Sequence, residues 1–154
     1  MTHCPIHISV QTADFDVSQS MRALSQHDKT IGALACFVGL VRDINEGSQV
    51  GAMTLEHYPG MTEKSLQGIA EQAQSRWPLQ GIRIIHRVGE LLPSDQIVLV
   101  ITASRHRHAA FESAEFIMDY LKSQAPFWKK ENTTEGARWV DARESDEQAL
   151  ARWQ

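Results

Sequence analysis

With 154 residues and 42% hydrophobic content, the chain has the size and apolar share of one globular domain with a sizeable core. A net charge of −4 excludes a broadly basic nucleic-acid surface. Two cysteines, Cys4 and Cys36, are too few and too isolated for a disulfide framework or a zinc site, and no run reaches the roughly 18 apolar residues of a membrane span.

Ile6 to Val10 alternates as a short half-buried strand, with no charged n-region and apolar h-region ahead of it, so a cytoplasmic protein is expected. Asp14 to His27 carries Val17, Met21 and Leu24 at helical spacing. The run IGALACFVGLV, Ile31 to Val41, is too apolar for an edge and too rich in Gly for a comfortable helix. It predicts a central strand with a bulge at Gly39, burying Cys36 as an inert small hydrophobe. Arg42 emerges at its end. Asp43 to Ser48 (DINEGS) is polar and turn-rich, a mobile loop by composition, and Met53 to Tyr58 returns as a strand to complete a long hairpin.

Pro59-Gly60 breaks that strand, and Thr62 is the expected N-cap of a helix to Arg76 that buries Leu66, Ile69, Ala70 and Ala73. Ile82 to Val88 and Gln96 to Ala103 are β-branched runs separated by Pro93-Ser94-Asp95, hence two more strands. Ala110, Ala114, Ile117, Leu121 and Ala125 then recur at steps of three and four, with Phe111 and Met118 alongside. That stripe predicts a helix of roughly 20 residues, stopped by Pro126. Phe127 to Glu131 reads as a short strand, Gly136 to Val140 as a last one, and Ser145 to Trp153 as a terminal helix in an acidic, solvated end. Strands mixed with three main helices predict an α+β fold rather than a doubly wound parallel sheet.

Two features of the long helix carry chemistry. Arg105, His106, Arg107 and His108 crowd its start, where unpaired N–H groups and the macrodipole are already positive. Either these side chains converge on a phosphate or carboxylate, or they splay into water and pair with distant acids. Lys122 lies about 20° around the helix from Phe111 and about 40° from Met118, at the margin of the apolar stripe. It either lines a pocket, where a lysine suits acid–base chemistry, or pairs with Asp119 three residues back. In the strand that follows, Lys129 and Lys130 point to opposite faces, so only one of them readily shares a pocket with Lys122. No glycine-rich phosphate loop, GxSxG elbow or HExxH is present, and the i, i+2 histidines of RHRH diverge, so no metal is expected. His57, His86, Glu56 and Glu90 fall in or beside strands, where hydrogen-bonded structural roles are the commoner outcome. What remains is a basic pocket for an anionic small molecule.

LEHYPGMTEK at 55–64, RWPL at 76–79, IHRVGEL at 85–91, and FIMDYLK followed by APFWKKE at 116–131 resemble the large, catalytic subunit of molybdopterin synthase. The resemblance runs from about Gly32 to Asp146. It implies a single α/β hammerhead-type domain over 1–154, with a mixed or antiparallel sheet and about three main helices. Within it, 1–30 is the weakly matched part and 145–154 a tail. The implied assembly is a central homodimer with one small subunit at each outer end, a heterotetramer of two large and two small chains.

The implied reaction belongs to molybdenum cofactor biosynthesis. Cyclic pyranopterin monophosphate receives two dithiolene sulfurs, each from the C-terminal thiocarboxylate of a small ubiquitin-like carrier ending in Gly-Gly. Such a sulfurtransferase needs no resident cofactor, and the lack of a plausible catalytic cysteine fits sulfur that arrives on another chain. By the same resemblance Lys122 is the essential lysine and Lys129 a second important one. Contacts to pterin and phosphate then fall on Leu40, Val41, Arg42, His106, Arg107, Lys130 and Glu131 as well as on the two lysines. Two other classes remain distinct: a non-catalytic module binding an anion or a peptide tail, and a different acyl-transfer enzyme.

Overall fold

A computed structural model describes the backbone of residues 4–45, 48–133, 136–140 and 144–154, and their side chains outside 44–50 and 131–147. In chain order the first elements are β1 (Ile6–Gln11), α1 (Val17–Ser25), β2 (Ala33–Leu40), β3 (Ile44–Asn45), β4 (Ser48–His57) and α2 (Met61–Arg76). They are followed by β5 (Leu79–Arg87), β6 (Gly89–Leu91), β7 (Gln96–Ser104), α3 (Arg107–Gln124), β8 (Phe127–Thr133), β9 (Gly136–Val140) and α4 (Glu144–Ala151). The strands divide into a mixed sheet, β1-β5-β7-β2, and an antiparallel one, β3-β4-β8-β9, with β6 also paired to β4. The fold is α+β.

Strands β5 and β7 lie inside the first sheet; β7 is largely apolar on both faces, and β5 carries Ile82 and Ile84 on one face and Ile85 between Arg83 and Arg87 on the other. Ile82, Ile84, Val98 and Val100 pack with Leu66 and Ile69 of α2 and Phe116 and Ile117 of α3. Ile85, Leu99, Ile101 and Ala103 pack on the other side with Leu24 of α1. A sheet covered twice needs apolar side chains at successive positions, which is why β7 reads as a continuous run instead of alternating. The approach of α1 is close: a Cβ on Gly81 would sit 2.7 Å from Leu24 Cδ1.

A third cluster, Val41, Met53, Leu55, Val88 and Leu91, belongs to the second sheet. Val10, Ile97 and Phe127 touch both this cluster and the α2/α3 core, so they join the two. Behind Phe127 stands His86, 5% exposed on the α3 side of β5, with its ring stacked on Phe127 at 3.8 Å between centroids and 19° between planes. Burial pushes the His86 pKa down to about 4; a hydrogen bond to the Arg87 carbonyl opposes this, and Lys122, Lys129 and His57 push the same way as burial.

Several sequence expectations need correction. The apolar 31–41 run forms an edge strand, not a central one: Ala35 serves the α2/α3 core and Leu34 and Val38 the α1 core, while Phe37 and Leu40 stay 42% and 53% exposed. Its partner is β7, with the expected irregularity between Gly39 and Leu40, so the long hairpin with 53–58 does not form. Strand β4 pairs instead with β8 and β6. Cys36 is exposed because the open edge leaves it uncovered. Of the 43–48 loop, Ile44 and Asn45 form a short ladder with β4, and residues 46–47 lie outside the described residues.

Gly60, not Thr62, caps α2, its N–H held by Glu63 Oε1 at 3.1 Å. Thr62 is buried one residue inside the helix, where Oγ1 accepts from the Tyr58 N–H and donates to the Pro126 carbonyl, both at 3.0 Å. The last residues are only partly solvated: Gln148, Ala151, Arg152 and Gln154 are exposed, while Trp153 packs edge-on against Trp77 and Phe116 and donates to Asp119 at 2.6 Å. The acidic side chains expected in that end, from 131 to 147, lie outside the described residues. No described helix is long and apolar enough to cross a membrane.

Two glycines separate packing from propensity. Gly81→Val should lower the urea midpoint, with a loss of about 1–3 kcal/mol from overpacking against Leu24. Gly68, inside α2 with nothing within 4 Å of its virtual Cβ, should behave oppositely, with Gly68→Ala raising stability by about 0.5–1 kcal/mol. His86 sets an acid dependence. Its pKa is about 6.5 when unfolded and about 4 when folded, so between these values the unfolded chain binds the extra proton and stability falls as pH drops. The full loss approaches about 3 kcal/mol, and His86→Phe should flatten that limb in thermal melts between pH 7 and 4.

Candidate active site

Helix α3 carries basic side chains at both ends. At its start His106 is the N-cap without a side-chain hydrogen bond, and the first turn has no acid, so the first N–H groups have no side-chain cap and no acid beside them. His108 is committed to Glu112, 2.7 Å away and four residues on, whereas Arg105, His106 and Arg107 are exposed. Phe111, expected in the apolar stripe, is 66% exposed just beyond them. The buried face instead runs through Ala110, Ser113, Ala114, Phe116, Ile117, Tyr120 and Leu121, because α2 and α4 cover a second flank of the helix.

The other end brings Lys122 to the surface in the last turn. Asp119 does not pair with it: the Trp153 indole takes that carboxylate, and the Arg152 guanidinium lies 3.6 Å away. No ion pair to Lys122 is present among the described residues. Pro126 then redirects the chain, with its carbonyl held by Thr62, and β8 begins.

The ladder between β8 and β4 fixes which lysine faces the site. Phe127 pairs with His57, Lys129 with Leu55 and Lys130 with Thr54. Phe127 and Lys129 therefore share the face that carries buried Leu55, whereas Trp128 and Lys130 face away and are exposed. The Lys122 and Lys129 charges both bear on His86, so the two lysines, His57 and His86 form one electropositive neighbourhood. His86 Nδ1 donates to the Arg87 carbonyl at 2.9 Å, which fixes the tautomer with Nε2 unprotonated. The sequence suggests structural roles for both histidines; the clue to more is a histidine on the face of β5 that carries Ile82 and Ile84.

The remaining expected site residues divide. Arg42 and Leu40 are exposed at the end of β2, flanking Val41, which is 6% exposed in the same cluster as Leu55. Both backbone groups of Val41 are engaged with the 94–95 turn, its N–H with the Asp95 carbonyl and its carbonyl with the Ser94 N–H. Glu131 pairs with Met53 in the ladder, and its side chain lies outside the described residues. His106 and Arg107 are not with the lysines. The rise from Arg107 to Lys122 is about 22 Å along one straight helix, more than a single small anion spans.

Neither thiol is primed. Burial pushes Cys4 up to about 11, and partial burial of the Cys36 thiol raises it as well. The arrangement offers paired amines beside a buried neutral imidazole and a distant cationic helix start: anion binding and proton transfer, without a thiolate nucleophile.

A family model described as MoaE protein matches residues 10–124, beginning within the opening thirty residues that carry none of the resembling strings. A molybdopterin synthase catalytic subunit from Ralstonia nicotianae is 62% identical over 146 residues, covering 95% of this chain and 83% of that one. The solved molybdopterin biosynthesis MoaE protein from Burkholderia ambifaria is 58% identical, with a TM-score of 0.83 over 96% of this chain and 97% of that one. The molybdopterin synthase structure from Staphylococcus aureus, 29% identical, gives 0.80 over 86% and 96%. With a family match over most of its length and such identity along nearly all of it, the chain belongs to the MoaE family.

Proposed function

We propose that this chain is the sulfur-accepting, catalytic half of a molybdopterin synthase. It transfers sulfur from the C-terminal thiocarboxylate of a small ubiquitin-like carrier to cyclic pyranopterin monophosphate, twice, to build the dithiolene. The observation that carries the reading is the convergence of Lys122 and Lys129 on one buried, neutral histidine, with no low-pKa thiol in either cysteine. Sulfur transfer without a primed cysteine fits sulfur that is delivered on a partner chain.

In each round the carrier's thiocarboxylate sulfur bonds to a pterin carbon as that carbon's bond to oxygen breaks, the oxygen leaving as water or staying on the phosphate, and the carrier remains joined through its acyl group. Lys122 moves a proton at that carbon and stabilises the charge that develops there. Water then attacks the acyl carbon, the acyl–sulfur bond breaks, and the carrier leaves as a carboxylate with the sulfur retained on the pterin. Lys129, one strand residue from the protein's outer face, positions the tail or the phosphate. Arg42 holds an oxyanion at the exposed end of β2. The sulfur arrives with the carrier, so the reaction calls for no resident cofactor, and a cytoplasmic location suits a small-molecule biosynthetic step.

Separation of the two ends of α3 gives the assembly its purpose. If His106 and Arg107 bind the same pterin as Lys122, they come from the second copy of a homodimer, and each of two sites uses both chains. A small carrier at each outer end completes a heterotetramer.

The central test mixes the purified chain with cyclic pyranopterin monophosphate and thiocarboxylated carrier and assays dithiolene. A binding module would retain the pterin without product, and another acyl-transfer enzyme would process a carrier lacking the thiocarboxylate. Lys122→Ala should cut turnover by about a hundred- to ten-thousand-fold with carrier affinity intact. Arg107→Ala should instead weaken substrate binding about ten- to a hundred-fold, the loss of one charge-assisted contact. Cys36→Ala should leave turnover unchanged and stability within about 0.5 kcal/mol, since the residue is exposed. Refolding Lys122→Ala and Arg107→Ala chains together tests the shared site. If the site is shared, hybrid dimers hold one site with both residues intact, so at subsaturating pterin activity above either parent supports sharing, and none above the parents places each site within one chain.

A further inference from the structure

The two lysines sit on different bodies, Lys122 on the helix that covers the first sheet and Lys129 on a strand of the second, so their spacing depends on the joint between them. Besides the packing of Val10 and Ile97 in both cores, three contacts at the start of β8 set that joint. Thr62 holds the Pro126 carbonyl at 3.0 Å, and the Phe127 N–H bonds back to the Ala125 carbonyl at 2.9 Å. The third is the stack of Phe127 on His86, and of the three it alone ties the start of β8 to a strand of the first sheet. His86 is a firm anchor because β5 is held on both sides, with His86 paired to Val10 of β1 and Val98 of β7. The bond from Nδ1 to the Arg87 carbonyl fixes the ring as well as the backbone.

Resting on the reading above, we propose that His86 is a positioning residue for the sulfur-transfer reaction: through its stack on Phe127 it sets the approach of Lys129 to Lys122, two residues further along β8. The stack uses a flat ring, and the site demands that the ring carry no charge. A cation at this point would face Lys122 from α3, Lys129 from β8 and His57 from β4, and burial excludes it. A bulky aliphatic side chain would fill the same space without presenting a face, leaving Phe127 free to turn and Lys129 to wander. Displacement of a catalytic group by about 1 Å can cost on the order of a hundred-fold in rate, so the effect belongs in kcat.

The test compares wild type, His86→Leu, His86→Phe and Phe127→Leu as assembled enzyme with thiocarboxylated carrier and cyclic pyranopterin monophosphate, at a temperature below every melting point. His86→Leu and Phe127→Leu should each lose about ten- to a hundred-fold in kcat with KM for the pterin within about three-fold of wild type. His86→Phe, which restores a ring face, should return kcat to within about three-fold of wild type. A wild-type kcat in folded His86→Leu overturns the inference, as does a His86→Phe enzyme as slow as the leucine variant. Should His86→Leu fail to fold, Phe127→Leu against His86→Phe decides the same question. Failure of wild type itself to form dithiolene would instead overturn the proposed function.

Discussion

The structure depends on having to cover β5 and β7 on both faces. β7 is apolar in both directions and β5 adds Ile85 on the α1 side, so helices must pack on each side, and one short helix with a small contact face, α1, is enough only where Gly81 lets Leu24 come close. The opposite face needs two helices. It is the width of that face which sets the length of α3, and the length of α3 in turn carries its basic start far from Lys122. Burial of hydrocarbon, worth roughly 25 cal/mol for each Å² removed from water, thus dictates where the charged groups end up.

The second sheet is joined to the first by few side chains, and that narrow connection is where the chemistry gathers. Val10, Ile97 and Phe127 belong to both cores, with Phe127 just before the lysine-bearing part of β8. Polar groups buried beside it are satisfied in specific ways: Thr62 with one bond accepted and one donated, and His86 with Nδ1 bonded to backbone. Such groups are costly when left unpaired, so the joint has one low-energy arrangement.

Much of this was legible in the sequence. The long helix, its stop at Pro126, the 62–76 helix, the β5 and β7 strands and the irregularity after Gly39 all follow from local chemistry. Strand partners did not, because the apolar character of 31–41 measures how much cover its side chains call for and says nothing of which neighbour supplies it; the open edge with Phe37 and Leu40 is the result. Periodicity placed Lys122 at the margin of the buried face but misjudged Phe111, since α4 docks from the far end of the chain and shifts that face. For the site, alternation in β8 separated Lys129 from Lys130 correctly in principle, and only the ladder with β4 decides which one turns inward. The distance between Arg107 and Lys122 was implicit in the helix itself, yet a list of basic residues carries no lengths.

The docking of Trp153 reaches further than packing. Asp119 stands one helical turn before Lys122, the spacing at which a carboxylate ordinarily neutralises an amine, and it is spoken for by an indole and a guanidinium from the end of the described chain. The hydrophobic seat of that indole between Trp77 and Phe116 therefore acts as insulation. Loss of the aromatic ring would leave Asp119 to be shared between Arg152 and Lys122, and a defect that looks like surface erosion would register as a small drain, roughly a few tenths of a kcal/mol, on the lysine's attraction for anions.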